Sequence, residues 1–189
     1  MKKYLTTAKT YVSDHKKQFK LGGFIALGLA IISAIIVLVI YNTTPHVVYQ
    51  PPNACNLFTN KEAIEVLGGE VISLGTALPV VSGDAAISKC SYTDKNNDAN
   101  AMLVAAVAIR SGINDKGVAQ NRAQFIASQS LTSTEVVKDL GDNAYFNSNL
   151  GQLDVYQGRE WFIISVGVGA APATNTLEDA IKLAHMVIN

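Results

Sequence analysis

The residues best suited to chemistry in this sequence are two cysteines, Cys55 and Cys90. A cysteine nucleophile needs a neighbouring base, and a zinc site needs further cysteine or histidine ligands at close spacing. The chain has only three histidines, and none lies at a suitable spacing. An even number of cysteines on the oxidising side of a membrane is typical of a disulfide. The two cysteines therefore predict a disulfide, provided that this part of the chain is exported.

The other polar residues do not form a recognisable catalytic pattern. The motifs G-x-S-x-G and H-E-x-x-H and the phosphate-binding P-loop are absent. A serine triad would have to use His185, the one histidine far along the chain. Glu160 and Asp154 could meet across a hairpin, although such a pair is more often solvated surface. We predict no enzyme activity and no cofactor.

One loop resembles a calcium-binding loop, because Asp and Asn alternate from Asp94 to Asn100. Such loops need a glycine where this chain has Ala99, and a bidentate glutamate where it has Ala105. A solvated hairpin loop explains the composition equally well. We therefore predict no metal site.

The longest apolar stretch covers residues 21–40 and contains no charged residue. As a helix it would be roughly 30 Å long, which matches the hydrocarbon core of a bilayer. Six lysines precede it, and no Lys or Arg follows it before Lys61. Since basic flanks stay cytoplasmic, we predict a cytoplasmic leader at residues 1–20 and a transmembrane signal anchor at residues 21–41. A cleavable signal peptide is the alternative, but its apolar core would usually be ~7–15 residues long.

Small residues recur at every fourth position of this stretch, at Gly22, Ala26, Ala30 and Ala34. A ridge of small residues lets two membrane helices approach closely, which predicts a homodimer through the span. The alternative is that Gly and Ala are simply common in membrane spans.

The rest of the chain divides into a stalk and one domain. Residues 42–54 contain three prolines and predict an extended stalk, and residues 55–189 predict an extracytoplasmic domain. The residues after the leader include nine basic and fourteen acidic side chains, which gives a net charge of about −5. This balance argues against nucleic-acid binding. The expected partners are the lipid bilayer and either an envelope protein or a small ligand, with the chain in the cell membrane as a single-pass protein.

The apolar pattern of the domain predicts an α+β fold, with helices packed on a twisted, mainly antiparallel sheet. Helices are predicted at residues 60–67, 115–129 and 177–188. Strands are predicted at residues 70–74, 87–93, 101–110, 135–140, 144–147, 150–157 and 160–168. Strand 101–110 is apolar on both faces, so we expect it to be central and covered on each side.

Three short motifs carry a family resemblance. They are Cys55-Asn56-Leu57-Phe58-Thr59 followed by Glu62-Ala63-x-x-x-Leu67-Gly68, then Cys90-Ser91-Tyr92, then Leu140-Gly141-Asp142-x-Ala144-Tyr145 before an apolar hairpin. The region from residue 54 to residue 189 resembles secreted actinobacterial lipoprotein domains of unknown function, and also the extracellular sensor domains of certain mycobacterial serine/threonine kinases. The resemblance implies a disulfide between the helix start and the sheet, and a ligand-binding or sensory role without known catalysis. The chain lacks the lipobox cysteine, and its leader is too short to be a kinase.

Two functions fit these observations. The first is a membrane-anchored extracytoplasmic binding or sensory domain, which predicts a concave apolar pocket between a helix and the sheet. The second is a structural or accessory subunit of a cell-envelope complex. It predicts a flat exposed apolar patch around Tyr145, Phe146 and Trp161.

Overall fold

The computed structural model describes residues 49–95, 101–169 and 171–188. The predicted leader and span, with Gly22, Ala26, Ala30 and Ala34, lie outside these ranges, as do residues 42–48 of the predicted stalk and most of the calcium-like loop. Within the described ranges, no helix has the length and apolar character needed to cross a membrane. The compact unit begins at Tyr49, before the predicted domain boundary at residue 55.

Helices and strands fill most of the described part of the chain. The α-helices are α1 (Ala54–Leu57), α2 (Asn60–Leu67), α3 (Asp115–Gln129) and α4 (Leu177–Val187), and a short 3-10 helix covers Pro172–Thr174. The strands are β1 (Val71–Ser82), β2 (Ala85–Asp94), β3 (Leu103–Gly112), β4 (Thr134–Val137), β5 (Asn143–Asn147), β6 (Gln152–Gln157) and β7 (Glu160–Val168).

The strands form one open sheet in the order β1-β2-β3-β7-β6-β5-β4. Each neighbouring pair in this part of the chain is antiparallel. Strands β1 and β4 are therefore the two edges, and β3 lies inside the sheet. The predicted α+β class with an antiparallel sheet is confirmed.

Helix α2 shows how local sequence determines an element. The Thr59 side chain caps its first turn, and the Glu62 side chain accepts a hydrogen bond from the Thr59 backbone N–H, which completes a capping box. Gly68 ends the helix in the left-handed conformation, with φ of 79°. The predicted bounds are confirmed, and Ala63 and Leu67 are the buried residues of the helix, whereas Ile64 is 43% exposed.

The N-terminal segment of the compact unit is attached to β2. Cys55 and Cys90 form the predicted disulfide, with 5.0 Å between their Cα atoms. The Ser88 hydroxyl accepts a hydrogen bond from the Ala54 N–H at 3.0 Å and donates one to the Pro52 carbonyl at 2.9 Å. The end of the predicted stalk is therefore part of the domain.

The two faces of the sheet are covered unequally. Helices α1, α2 and α4 pack on one face, here called the core face, where Cys90, Val107, Leu153 and Ile164 are buried with Leu183 of α4. Helix α3 packs on the opposite face, here called the α3 face. On β3, the core-face residues are buried, but the α3-face residues Val104, Ala106 and Ala108 remain partly exposed. The expectation that this strand is covered on both sides is met only on the core face.

Strand β1 is longer than predicted. A strand is present where one was predicted at residues 70–74, but its predicted end is wrong, because pairing with β2 continues to Ser82. Two register shifts interrupt the pairing, between Ser73 and Gly75 and between Ala77 and Val80. The strand is held by backbone pairing to β2 more than by burial, so its own apolar pattern does not show where it ends.

Removing the disulfide should lower the stability of the domain. The bond closes a loop with a sequence separation of 35, for which the chain-entropy model gives about 3–4 kcal/mol. We expect the Cys55→Ala/Cys90→Ala protein to lose roughly this free energy of unfolding in urea titrations. The urea midpoint of wild-type protein with added reductant should approach that of the variant. Unchanged midpoints in both samples would contradict the prediction.

Candidate functional site

An aromatic cluster lies beneath α3. The ring centroid of Phe125 on α3 lies 4.9 Å from that of Tyr145, 5.5 Å from Tyr156 and 5.8 Å from Trp161. Cross-strand pairing places these three on one face, because Tyr156 pairs with Trp161 and Tyr145 pairs with Asp154. Docking of Phe125 then buries all of them.

The expected exposed patch at Tyr145, Phe146 and Trp161 is wrong. Their side chains are 1%, 8% and 8% exposed. Tyr145 and Trp161 lie under α3, whereas Phe146 points to the opposite side of β5 and joins the core. Successive residues of a strand face opposite sides, so neighbouring aromatics cannot share one surface.

Helix α3 comes close to the sheet because of its sequence. Asn114 caps it by accepting a hydrogen bond from the Gly117 N–H at 2.9 Å. A Cβ atom on Gly117 would lie 1.8 Å from the Asp84 carbonyl oxygen, so only glycine permits this approach. Gly117, Asn121 and Phe125 recur every four residues and form the buried face of the helix.

A carboxylate is buried behind the aromatic cluster. Asp154 is 4% exposed, and its Oδ1 atom accepts a hydrogen bond from Trp161 Nε1 at 2.6 Å. Burial raises the pKa of Asp154 to about 6, although hydrogen bonds from Trp161 and Tyr145 work against this rise. Burial and the Asp154 charge in turn raise the pKa of the Tyr145 hydroxyl.

Asp154 and Glu160 do not form the carboxylate pair that the hairpin could have produced. Asp154 pairs with Ile163 across the hairpin, and Glu160 pairs with Gln157 at its end. Their side chains therefore lie on opposite faces of the sheet. Glu160 instead accepts a hydrogen bond from the Tyr49 hydroxyl.

An open cavity of about 370 Å³ lies between α3 and the adjoining ends of β5 and β6. Val118, Phe125 and Ile126 on α3 form its apolar wall. This volume is near the lower end of the ~300–1,000 Å³ typical of small-molecule sites. Helical spacing alone places these three residues and Arg122 on one mixed face of α3, and the structure brings all four to the cavity.

The cavity also has a polar rim, to which Arg122, Asp142, Asn143 and Tyr156 contribute. The Asp142 carboxylate accepts a hydrogen bond from the Gly158 N–H at 2.7 Å, and the Tyr156 hydroxyl donates to the Val118 carbonyl at 3.2 Å. Burial raises the pKa of Tyr156, the positive charge of Arg122 opposes the rise, and nearby carboxylates, Asp142 among them, add to it. A cation and a carboxylate therefore both lie within electrostatic range of one hydroxyl.

The sequence prediction missed the contribution of the β4–β5 turn to this rim. The strands predicted at residues 135–140 and 144–147 leave Gly141-Asp142-Asn143 only as a connection between them. Gly141 has φ of 60°, and a Cβ there would lie 2.7 Å from Val155 Cγ1 and 2.8 Å from the Tyr156 carbonyl oxygen. That close approach brings Asp142 to the cavity, and no local signal in the sequence indicates it.

The cavity offers no evident hydrolytic machinery. His185, the one histidine among the described residues, is exposed on α4, and the sheet separates it from α3. No cluster of three or more His, Cys, Asp or Glu residues in the described ranges could hold a metal ion. The arrangement is suited to holding a small molecule that has an apolar part and polar or charged groups.

No protein-family model, no curated protein and no solved structure matches this chain. The resemblance to actinobacterial lipoprotein domains and to kinase sensor domains therefore stays a prediction. The function has to be inferred from the cavity and the surfaces of the domain.

The buried Asp154 should make the stability of the domain depend on pH. Its pKa rises from an ordinary value of 3.8 to about 6 on folding, so the folded chain binds more protons than the unfolded chain between these values. Its contribution to the free energy of unfolding should then fall as pH rises from 4 to 6, by up to about 3 kcal/mol, and stay level above 6.

The variant Asp154→Asn isolates this effect. Asparagine keeps an oxygen for Trp161 Nε1 but brings no charge into the buried site. We therefore expect the variant to lack the fall in free energy of unfolding between pH 4 and pH 6, and to be more stable than wild type at pH 7.5. Urea titrations from pH 4 to pH 8 measure this. The exposed control Glu135→Gln should follow wild type, and a variant that keeps the wild-type slope would refute the assignment to Asp154.

Proposed function

We propose that this chain is a membrane-anchored extracytoplasmic domain that binds or senses a small molecule without transforming it. The uncharged stretch at residues 21–40 behind its lysine-rich leader supports the anchor. The Cys55–Cys90 disulfide is consistent with an oxidising compartment. The observation that carries the binding role is the cavity beside α3.

The lining of the cavity indicates the character of the ligand. An apolar or aromatic part would contact Phe125 and Ile126, and polar groups would meet Arg122 and Asp142 at the rim. The Asp142 carboxylate already accepts a hydrogen bond from the Gly158 N–H, and the Tyr156 hydroxyl already donates one to the Val118 carbonyl. Groups held in this way are suited to recognition, whereas a catalytic base must exchange protons with its substrate.

A structural or accessory role in an envelope complex is the second candidate. It is favoured by exposed apolar residues on β1 and β2, among them Leu78 at 71% and Val80 at 64% exposure. Exposed apolar clusters of this kind commonly mark interaction sites. A stable protein partner recovered from native membranes would favour this candidate.

Filling the cavity should abolish ligand retention. Ile126 lines the cavity and is 52% exposed, so Ile126→Trp adds bulk there without disturbing the core. Leu131, just beyond the end of α3, is 55% exposed and does not line the cavity, so Leu131→Trp is a matched control.

We expect native mass spectrometry of the full chain, released from membranes in detergent, to detect a small molecule on wild type and on Leu131→Trp. The Ile126→Trp protein should have lost it. Equal retention by both variants would place the ligand elsewhere, and a wild-type chain that carries no small molecule would count against the binding role.

A further inference from the structure

The polar side chains that line the cavity beside α3 differ in whether the domain already uses them. Asn143 and Gln129 bond each other through both of their amide groups, at 3.0 and 3.1 Å. The Tyr156 hydroxyl donates its proton to a backbone carbonyl. Among the described residues, no ion pair includes either Arg122 or Asp142. The charged groups that a ligand meets in this cavity are therefore one cation and one carboxylate.

The cation lies within the apolar wall of the cavity. Val118, Arg122 and Ile126 are spaced four residues apart on α3, so their side chains follow one stripe of the helix. Phe125 borders this stripe and lines the same cavity. A negatively charged group bound to Arg122 therefore has apolar surface beside it along the helix.

The carboxylate comes from the other side of the cavity, on the turn between β4 and β5, and backbone contacts hold it in place. Asp142 Oδ2 accepts a hydrogen bond from the Gly158 N–H at 2.7 Å, and the Asp142 N–H donates one to the Tyr156 carbonyl at 2.8 Å. Arg122 and Asp142 thus line one cavity without pairing with each other. A ligand between them can contact both.

The two charges also act on one hydroxyl group. Burial raises the pKa of Tyr156, and the positive charge of Arg122 opposes this rise. The negative charges of Glu160 and Asp142 add to it. Glu160 is already engaged, because it accepts a hydrogen bond from the Tyr49 hydroxyl. Arg122 and Asp142 are therefore the charges near this hydroxyl that are left for one small molecule.

This pair of charges restricts the chemistry of the ligand. A neutral ligand would cover Arg122 and Asp142 without giving either a partner, which costs free energy. An anion would pair with Arg122 but would be repelled by Asp142, and a cation would meet the opposite conflict. A molecule that carries both a carboxylate and an ammonium group matches both charges.

We propose that the ligand of the cavity is a free α-amino acid with an apolar side chain. Its carboxylate pairs with the Arg122 guanidinium, whose fork of N–H donors fits a carboxylate. Its ammonium group binds the Asp142 carboxylate, and its side chain lies against Phe125 and Ile126. The volume of about 370 Å³ suits a ligand at the small end of the usual range. This inference rests on the proposed function, because it names the ligand of the same cavity.

Isothermal titration calorimetry with matched probes tests the ligand class on the full chain in detergent. The probes are L-leucine, L-methionine and L-phenylalanine, each with its amide, which lacks the carboxylate, and its desamino analogue, which lacks the ammonium group. We expect at least one of the three amino acids to bind. Its amide and its desamino analogue should each bind about tenfold more weakly or worse, because each has lost one charge-assisted contact.

Two substitutions assign the contacts to residues. Arg122 is exposed on α3, and Asp142→Asn keeps an oxygen for the Gly158 N–H, so neither change disturbs the core. The Arg122→Gln protein should no longer prefer the amino acid over its amide, and the Asp142→Asn protein should no longer prefer it over its desamino analogue. Lys138→Gln and Glu135→Gln remove exposed charges outside the cavity and should keep the wild-type selectivity.

Three results would overturn the proposal: none of the three amino acids binds wild type, either derivative binds as tightly as its parent, or both cavity variants keep the wild-type selectivity. Native mass spectrometry separates this failure from that of the proposed function. If the wild-type chain retains a molecule whose mass is not that of an amino acid, the binding role stands and only the ligand class is refuted. If the chain retains no small molecule and no probe binds, the binding role falls as well.

Discussion

The structure depends on how few helices cover a wide sheet. Seven strands at a spacing of about 4.8 Å make a sheet nearly 30 Å wide, whereas a helix covers ~10 Å. Three helices share the core face, and α3 alone lies on the other face of the described domain. The aromatic cluster forms where α3 sits, the cavity opens on the β5–β6 side of it, and Val80 and Ile87 remain exposed on the β1–β2 side.

Helix α3 therefore separates the cavity from the exposed residues Val80 and Ile87. The cavity is lined by residues of α3, β5, β6 and the turns that adjoin these two strands, whereas Val80 and Ile87 lie on β1 and β2. Between them lies the row in which Arg110 stacks over Trp161, with its Cζ atom 5.8 Å from the ring centroid.

Some elements were predictable because their signals are local. The capping box at Thr59 with Gly68 determines α2, Asn114 begins α3, and Gly158 forms the tip of the β6–β7 hairpin. The extent of β1 was not predictable in this way. Most of its apolar residues are exposed, namely Ile72, Leu74, Leu78, Val80 and Val81, so their pattern carries no burial period, and only pairing with β2 defines the strand.

By itself, the sequence determined the helix bounds, the hairpin and the Cys55–Cys90 disulfide. Caps and turns act within a few residues, and the two cysteines of the chain have only each other as disulfide partners. The tertiary structure alone decided which side chains are exposed. Tyr145 and Trp161 are buried and Val80 is not, because α3 docks over one part of a face that the strand pattern treats as uniform. That choice is a contact between distant segments, which periodicity within one strand cannot encode.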